Sequence, residues 1–267
     1  MLRLFLLLFL LGSTQAAQAV RVATLSPHAT ELVWFAGAGD QLVGASAFSD
    51  FPKSVESLPS IGDARAIDRE RIISLAPELL VYWSNGIRPS DLAWLKNRGI
   101  ALFASNPVTI DELVEELQEL AERLGTEASA RKSIEAIRQK EAQLRALDTG
   151  MPVRMIHQLW QRPLIVLGKR DLLPRTLELC GIENPVETGE QPSATVSREY
   201  LHALKADAIL IADELPFEPF NPHGLPVYRG NSNRMHRATP RLLDAALDIC
   251  LKIRKGATPA APLAGKR

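Results

Sequence analysis

Apolar and polar positions along the chain follow two different periods in turn. Short, wholly apolar runs alternate with stretches in which apolar residues recur three and four apart. The short runs predict buried strands, and the longer stretches predict helices. This alternation is typical of α/β folds with parallel sheets. The predicted strands are 20–25, 42–44, 79–82, 100–103, 153–159, 164–167 and 208–212, and the predicted outer helices are 27–36, 89–97, one ending at Cys180 and 240–252.

The middle of the chain has a different pattern. From Ile110 to Leu147 good helix formers fill the positions between regularly spaced apolar residues, and only Gly125 interrupts them. We predict one helix ending near Leu124 and a longer one from Glu127 to Leu147. A coiled coil is the alternative, but the segment is short and its apolar face is irregular. The second helix falls between two α/β halves, so we expect it to link them.

The two halves share a short internal repeat. Residues 69–81 and 198–210 both fit R-E-x-φ-x-x-L-x-x-acid-x-φ-φ, where φ is apolar. A residue suited to capping a helix, Asp68 or Ser197, precedes each copy. Each copy predicts a short helix that leads into a buried strand. Two lobes of related fold follow from this pattern.

The N-terminus has the features of a secretory signal peptide. Arg3 precedes an apolar run from Leu4 to Leu11, and Ala17-Gln18-Ala19 fits a cleavage site. A membrane anchor is the alternative, but the run is far shorter than the ~20 residues that span a bilayer. We therefore expect five segments: a signal peptide (1–19), an N-terminal lobe (20–124), a linking helix (125–148), a C-terminal lobe (149–255) and a flexible tail (256–267).

Charge and cysteine content narrow the functional classes. The chain has 31 basic and 31 acidic residues, so nothing in its net charge indicates a nucleic-acid partner. Cys180 and Cys250 are an even pair in an exported chain, which favours a disulfide, with two separate buried thiols as the alternative. Neither cysteine has a second Cys or His at ligand spacing, so we predict no metal site.

Catalytic motifs are missing from the sequence. Gly37-Ala38-Gly39 follows a predicted helix rather than a strand, and Leu42 stands where a third glycine is needed for dinucleotide binding. There is no G-x-S-x-G, P-loop or H-E-x-x-H motif, and the five histidines are dispersed. We therefore predict that the protein is not an enzyme and has no cofactor.

Three aromatic residues follow predicted strands. Phe48 comes after the strand at 42–44, Trp83 directly follows the strand at 79–82, and Trp160 follows the strand at 153–159. Ligands of parallel α/β sheets bind beyond the carboxyl ends of the strands, so these side chains are candidates for a pocket wall, with core packing as the alternative. Trp34 and Trp94 lie inside helices and are expected to pack.

Five stretches carry a resemblance to a known family: RVATLSPHATELVWFAGAGDQLVGASAFSDFP, IDRERIISLAPELLVYW, LGKRDLLPRTLELCGIENPV, VSREYL and HRATPRLLDAALDIC. Together they resemble the periplasmic receptors for cobalamin and iron chelates that serve ABC importers. The resemblance implies two Rossmann-like lobes with parallel sheets, joined by a single long backbone helix. It also implies a monomeric periplasmic receptor that captures cobalamin or a related corrinoid between the lobes and delivers it to a permease dimer in the inner membrane.

The resemblance also implies roles for individual residues. Phe48 stands where the cobalamin receptors have a pocket tyrosine, Trp83 matches a pocket-region tryptophan, and the loop Ser232, Asn233, Arg234, Met235 and His236 matches a ligand-contacting loop. Trp160 is a further candidate for the pocket. Glu70 and Glu199 match two acidic residues, one in each lobe, that dock on the permease. A ferric siderophore or haem is the alternative ligand, for which Arg162, Arg170, Arg234 and Arg237 are candidate contacts.

Overall fold

The structure is a computed structural model that describes residues 19–63, 65–214 and 218–254. The expected tail, and the expected signal peptide apart from Ala19, lie outside these residues. Within the described ranges no helix is both long and apolar enough to cross a membrane. The sheets of both lobes and the linking helix fall inside them.

The N-terminal lobe is built on a four-stranded parallel sheet with strand order β2-β1-β3-β4. Its strands are β1 (Val22–Thr24), β2 (Leu42–Gly44), β3 (Leu79–Trp83) and β4 (Ala101–Ser105). Its helices are α1 (Pro27–Phe35), α2 (Arg69–Leu75), α3 (Pro89–Asn97) and α4 (Ile110–Leu124). The local sequence sets the helix ends. Ser26 and Thr109 cap the starts of α1 and α4, and Gly125 ends α4 in the left-handed conformation that glycine tolerates.

The C-terminal lobe has a larger, mixed sheet with strand order β10-β9-β5-β6-β8, and β7 pairs with β5. Its strands are β5 (Val153–Gln161), β6 (Leu164–Leu167), β7 (Ile182–Glu183), β8 (Ser193–Thr195), β9 (Ala208–Ala212) and β10 (Val227–Gly230). Its helices are α6 (Leu172–Glu178), α7 (Arg198–Ala203), α8 (Ser232–Met235) and α9 (Pro240–Arg254). The β5–β6 and β6–β8 pairs are antiparallel. The expected all-parallel sheet is interrupted at β5–β6 because two residues connect these strands, and parallel neighbours need a much longer crossover.

A single helix, α5 (Glu127–Arg145), lies between the lobes, as the pattern predicts. It packs against α4 of the first lobe and α9 of the second. Its buried residues Ala130, Ile137 and Leu144 recur every seven positions and belong to one apolar core that draws side chains from both lobes. The lobes are thus packed on a common helix, and the two-lobed α/β fold class is confirmed.

The internal repeat has one physical cause in both lobes. The acidic residue of each copy, Glu78 or Asp207, accepts a hydrogen bond from a backbone N–H on the neighbouring strand. The donors are Arg21 at 2.9 Å and Arg154 at 2.8 Å. In return Arg21 and Arg154 accept a backbone hydrogen bond from the acidic residue. Each copy of the repeat therefore encodes a short helix followed by a central strand, β3 or β9, with an acidic residue that links this strand to its neighbour.

The predicted disulfide is present. Cys180, just after α6, is bonded to Cys250 in α9, with the two Cα atoms 6.3 Å apart. Both cysteines are completely buried within the C-terminal lobe. The bond therefore fixes α6 against α9 and leaves the N-terminal lobe without a covalent cross-link.

Candidate functional site

A cleft of about 560 Å³ opens between the lobes, beyond the carboxyl ends of strands β1, β3 and β4. This is the position at which open parallel sheets bind ligands. The N-terminal lobe contributes Ser26, Pro27, His28, Trp83, Asn85, Asn106, Pro107 and Val108. The C-terminal lobe contributes Arg170, Asp171, Arg175, Glu190, Pro192, Ser232, Asn233, Met235, His236, Arg237, Ala238 and Leu242.

Trp83 forms an aromatic part of the N-terminal wall. The residue ends β3, and 38 % of its surface remains exposed. Its indole Nε1–H donates a hydrogen bond to Asn106 Oδ1 at 3.0 Å, and the backbone N–H of Asn106 donates to Glu116. The ring also lies over Gly86, where an added Cβ would come within 2.5 Å of it. The indole is therefore held in place while much of its surface faces the cleft.

His28 reaches the same wall through a buried chain of hydrogen bonds. Ser105 Oγ–H donates to Glu116 Oε2 at 2.6 Å, so Ser105 Oγ accepts from His28 Nε2–H at 3.2 Å. His28 Nδ1 is then the acceptor for Ser26 Oγ–H at 3.1 Å. Burial, assisted by the positive charge of Arg237, lowers the pKa of His28 to about 4. This imidazole is neutral at physiological pH.

The opposite wall is formed by α8 and the residues that follow it. Asn231 caps α8, and Met235 is completely buried with its sulfur against Gly230. His236 is exposed to the cleft and lies with its Nε2 atom 3.3 Å from Nε2 of the buried His157. Asn233 Nδ2–H donates to Asp50 Oδ2 of the N-terminal lobe at 2.9 Å. The loop is thereby joined to both lobes.

A buried ion-pair network crosses between the lobes beside the cleft. Glu31 in α1 is completely buried and accepts hydrogen bonds from Arg237 at 2.7 Å, Arg241 at 2.6 Å and Thr239 at 2.7 Å. Arg237 also pairs with Asp50. Burial alone would raise the pKa of Asp50, but its bond to Arg237 holds that pKa below the ordinary value. We call these groups the interlobe clamp: Glu31, Asp50, Asn233, Arg237, Thr239 and Arg241.

The charges that line the cleft are largely balanced. Arg170 is ion-paired with Glu190, and Arg237 is ion-paired within the interlobe clamp. Asp171 accepts a hydrogen bond from the backbone N–H of Leu173 and caps α6, and burial raises the pKa of its carboxyl. Arg175 also lines the cleft and has no ion pair among the described residues. The cleft therefore presents aromatic, amide and neutral imidazole groups together with this one unpaired arginine. Such a surface is suited to a large polar ligand of low net charge.

The structure brings together five of the eight predicted ligand contacts: Trp83, Ser232, Asn233, Met235 and His236. Phe48, Trp160 and Arg234 are outside the lining of this cleft. Phe48 is 83 % exposed, with a backbone φ of 66° that is strained for a bulky residue. Trp160 donates its indole N–H to the carbonyl of Arg162 at 3.0 Å. Ligand-contact roles for all eight residues stay predictions.

Several groups at the site were missed by sequence reasoning, and His28 and Glu31 are two examples with different reasons. His28 follows the end of β1 by four positions, so the strand-end rule that selected the aromatic residues would also have selected it. Glu31 gave no such signal. A glutamate inside a helix is ordinarily a surface residue, and its burial depends on arginines more than 200 positions away.

Glu70 and Glu199 lie where the repeat places them, in the first turns of α2 and α7, and both are exposed. Asp68 and Ser197 cap these helices as predicted. Hydrogen bonds from its own backbone N–H and from Ser197 lower the pKa of Glu199. Among the described residues, no group of three or more His, Cys, Asp or Glu side chains could hold a metal ion.

Two lobes with a shared helix and a ligand-sized cleft at the strand ends define the class of two-lobed solute-binding proteins. The chain matches the family model described as "Periplasmic binding protein" over residues 22–225, and it belongs to that family. The resemblance drawn from the sequence is thereby confirmed. The chain is 33 % identical over 262 residues to the vitamin B12-binding protein of Yersinia pestis (strain Pestoides F), covering 96 % of this chain and 94 % of the relative.

Solved structures show the same fold. The periplasmic vitamin B12 binding protein BtuF of Vibrio cholerae superposes with a TM-score of 0.77 at 29 % identity, covering 89 % of this chain and 98 % of that one. The periplasmic heme binding protein HutB of Vibrio cholerae gives a TM-score of 0.75 at 21 % identity, with 88 % and 98 % covered. These relatives are periplasmic binding proteins by description. The second likeness bears on the fold alone.

Proposed function

We propose that this protein captures cobalamin or a related corrinoid in the cleft between its lobes. The observation that carries the proposal is the balanced cleft, in which Trp83 offers a fixed aromatic surface while Arg170 and Arg237 are neutralised by carboxylates. A corrinoid is a large ring system with peripheral amides, which need aromatic contact area and hydrogen-bond partners more than opposing charge. The vitamin B12-binding relatives at 33 % identity support the same ligand.

A ferric siderophore or haem is the second candidate. Arg170, Arg175 and Arg237 all line the cleft, and anionic chelates or haem propionates bind arginine well. Binding of such an anion would have to compete with Glu190 for Arg170 and with Glu31 and Asp50 for Arg237. That competition at two of the three arginines is the reason we rank this ligand class second.

A colour assay separates the two ligand classes. Purified protein is mixed with cyanocobalamin, haem or a ferrichrome-type chelate, desalted, and examined by visible spectroscopy, with calorimetry to measure each Kd. We expect the cobalamin spectrum to remain with the protein in about equimolar amount. Loss of cobalamin on desalting, together with tight binding of haem or the ferric chelate, would contradict the corrinoid proposal and favour the second candidate.

Delivery to an ABC permease dimer is proposed to depend on Glu70 and Glu199. One exposed carboxylate on each lobe can engage basic residues on each of two symmetry-related permease subunits, and such complementarity raises the encounter rate. The double variant Glu70→Arg/Glu199→Arg should bind ligand normally and fail to support uptake. Glu127→Arg, at an exposed first-turn position of α5, is the matched control and should support uptake. Uptake at the parental level by the double variant would contradict the docking role and leave the two residues with a role only at the helix ends.

We propose export to the periplasm with cleavage near Ala19, and a monomeric receptor. The sequence of residues 1–19 supports the cleavage, and the placement of one cleft between the lobes of one chain supports the monomer. N-terminal sequencing of periplasmic protein should begin at Val20 or within a few residues of it. Retention of Met1 would contradict the cleavage, and a dimer mass in light scattering would contradict the monomer.

A further inference from the structure

A pair of histidines connects the cleft to the interior of the C-terminal lobe. His157 lies within β5 and is buried, whereas His236 follows α8 and lines the cleft. Their Nε2 atoms are 3.3 Å apart, and their ring centroids are 5.2 Å apart. The ring planes are inclined by only 21°, and the centroids are separated by much more than the nitrogens, so the two nearly parallel rings are offset with their Nε2 atoms facing each other. This is the geometry of a hydrogen bond between two imidazoles.

The hydrogen bond couples the protonation of the two rings. Burial lowers the pKa of both imidazoles, and the proximity of His236 lowers the pKa of His157 further. Both rings are therefore neutral, and each carries one N–H. One Nε2 must donate and the other must accept. The ring that accepts at Nε2 is obliged to carry its proton on Nδ1.

The surroundings of His157 decide which ring donates. Its Nδ1 atom is buried without a hydrogen-bond partner among the described residues. His157 also lines a small space together with Met155, Leu177 and Leu210. Of the polar side chains around this space, Asn184 is already bonded to the backbone of Leu167 and Val186, and Glu183 is exposed. On the protein backbone a buried N–H without a partner is rarer than a buried acceptor without one. By the same reasoning we assign this Nδ1 as the unprotonated nitrogen. His157 then donates through Nε2–H.

The same arrangement sets the state of His236. Its Nε2 accepts from His157, so its proton is on Nδ1. The nearest partner of that nitrogen among the described residues is Ser232 Oγ at 3.5 Å, a distance at the outer limit of a hydrogen bond. The N–H is therefore available to a ligand in the cleft.

We infer that His157 is a positioning residue for ligand recognition, which holds His236 in the Nδ1–H tautomer and so gives the cleft one directed N–H donor for a ligand carbonyl. The inference rests on the proposed function, since a corrinoid presents peripheral amide carbonyls. The same tautomer also affects which ligands the cleft selects. For His236 Nδ1 to coordinate a metal, both protons of the pair would have to shift, leaving an unpartnered N–H on His157. The pair thus favours an amide-bearing ligand over one whose metal seeks a protein nitrogen.

Nitrogen NMR of the ligand-free protein tests the positioning directly. With ¹⁵N-labelled histidine, His236 should carry its proton on Nδ1 in the parent protein. His157→Gln places an amide N–H where the imidazole Nε2–H was and should preserve this tautomer. His157→Leu removes the donor and should give a mixture of tautomers. A proton on Nε2 of His236 in the parent, or an unchanged tautomer in His157→Leu, would overturn the inference.

Binding of cyanocobalamin to the same proteins tests the consequence. His157→Leu should weaken binding about fivefold, as expected for loss of one oriented hydrogen bond, and His157→Gln should stay close to the parent. Equal weakening by both variants would indicate a purely structural role and overturn the inference. If the parent binds no corrinoid, the proposed function fails, whereas the tautomer of His236 still decides whether His157 positions it. Thermal unfolding establishes that each variant is folded.

Discussion

The interlobe clamp makes a strong prediction about stability. Glu31 is completely buried, and its carboxylate accepts three hydrogen bonds from Arg237, Thr239 and Arg241. Glu31→Gln keeps the shape of the side chain and removes its charge. Two arginines, both largely buried, then lose a counter-ion at a site where water cannot replace it.

The expected magnitude follows from the cost of breaking a buried ion pair. Removing one partner leaves an uncompensated buried charge and typically costs about 3–5 kcal/mol. Arg237 keeps its pair with Asp50, and Arg241 keeps its stacking on Phe51, so we expect the lower end, about 3 kcal/mol. For a protein of this size that corresponds to roughly 6–12 °C in Tm.

Urea denaturation measures this loss, with Glu56→Gln as the matched control. Glu56 is an exposed glutamate paired with Lys53, and an exposed pair contributes about 0–1 kcal/mol. The midpoint should fall for Glu31→Gln at an unchanged m-value and stay near the parental one for Glu56→Gln. The difference should persist in high salt because buried pairs are poorly screened. A Glu31→Gln variant within 1 kcal/mol of the control would refute the reasoning.

Three further predictions concern pH, the disulfide and the cleft. The pKa of His28 is about 4 in the folded state and 6.5 in the unfolded chain, so its contribution to stability is full above pH 6.5 and is lost as the pH falls towards 4. Between pH 7.5 and 4.5 the parent should lose about 2–3 kcal/mol more than His28→Gln in urea titrations, and equal losses would contradict this. Replacing Cys180 and Cys250 together by Ser opens a loop whose ends are 70 residues apart and should lower the free energy of unfolding by up to about 4 kcal/mol. Thiol titration of the unreduced parent should detect no free thiol, and two free thiols would disprove the bond. Trp83→Ala should weaken cobalamin binding by about tenfold or more through lost contact area. Trp34 is similarly exposed but lies outside the cleft, so Trp34→Ala should leave binding unchanged. Equal effects of the two substitutions in calorimetry would exclude a specific contact.

The sequence by itself determined most elements of this fold, although β7, β8, β10 and α8 were not predicted. Helix α3 begins and ends as predicted, and α4 is bounded by Thr109 and Gly125 because capping and left-handed glycine act over a few neighbouring residues. The ends of α5, α6 and α9 differ from the prediction by two residues, since helix ends are set by weak local preferences. The internal repeat could also be recognised from the sequence, because each copy encodes one local helix–strand junction.

Tertiary structure alone decided the chemistry of the cleft. The Glu31–Arg237 pair and the His157–His236 pair join residues 206 and 79 positions apart, and no local pattern specifies that they meet. Two of the four arginines expected to attract an anion, Arg170 and Arg237, are instead neutralised by carboxylates that only folding brings near them. The cleft lies at strand ends, as expected for parallel strands that share one carboxyl edge, but of the three aromatic residues selected by that rule only Trp83 lines it. Which side chains remain available to that ligand depends on long-range pairing of charges and protons, and that is a property of the folded protein.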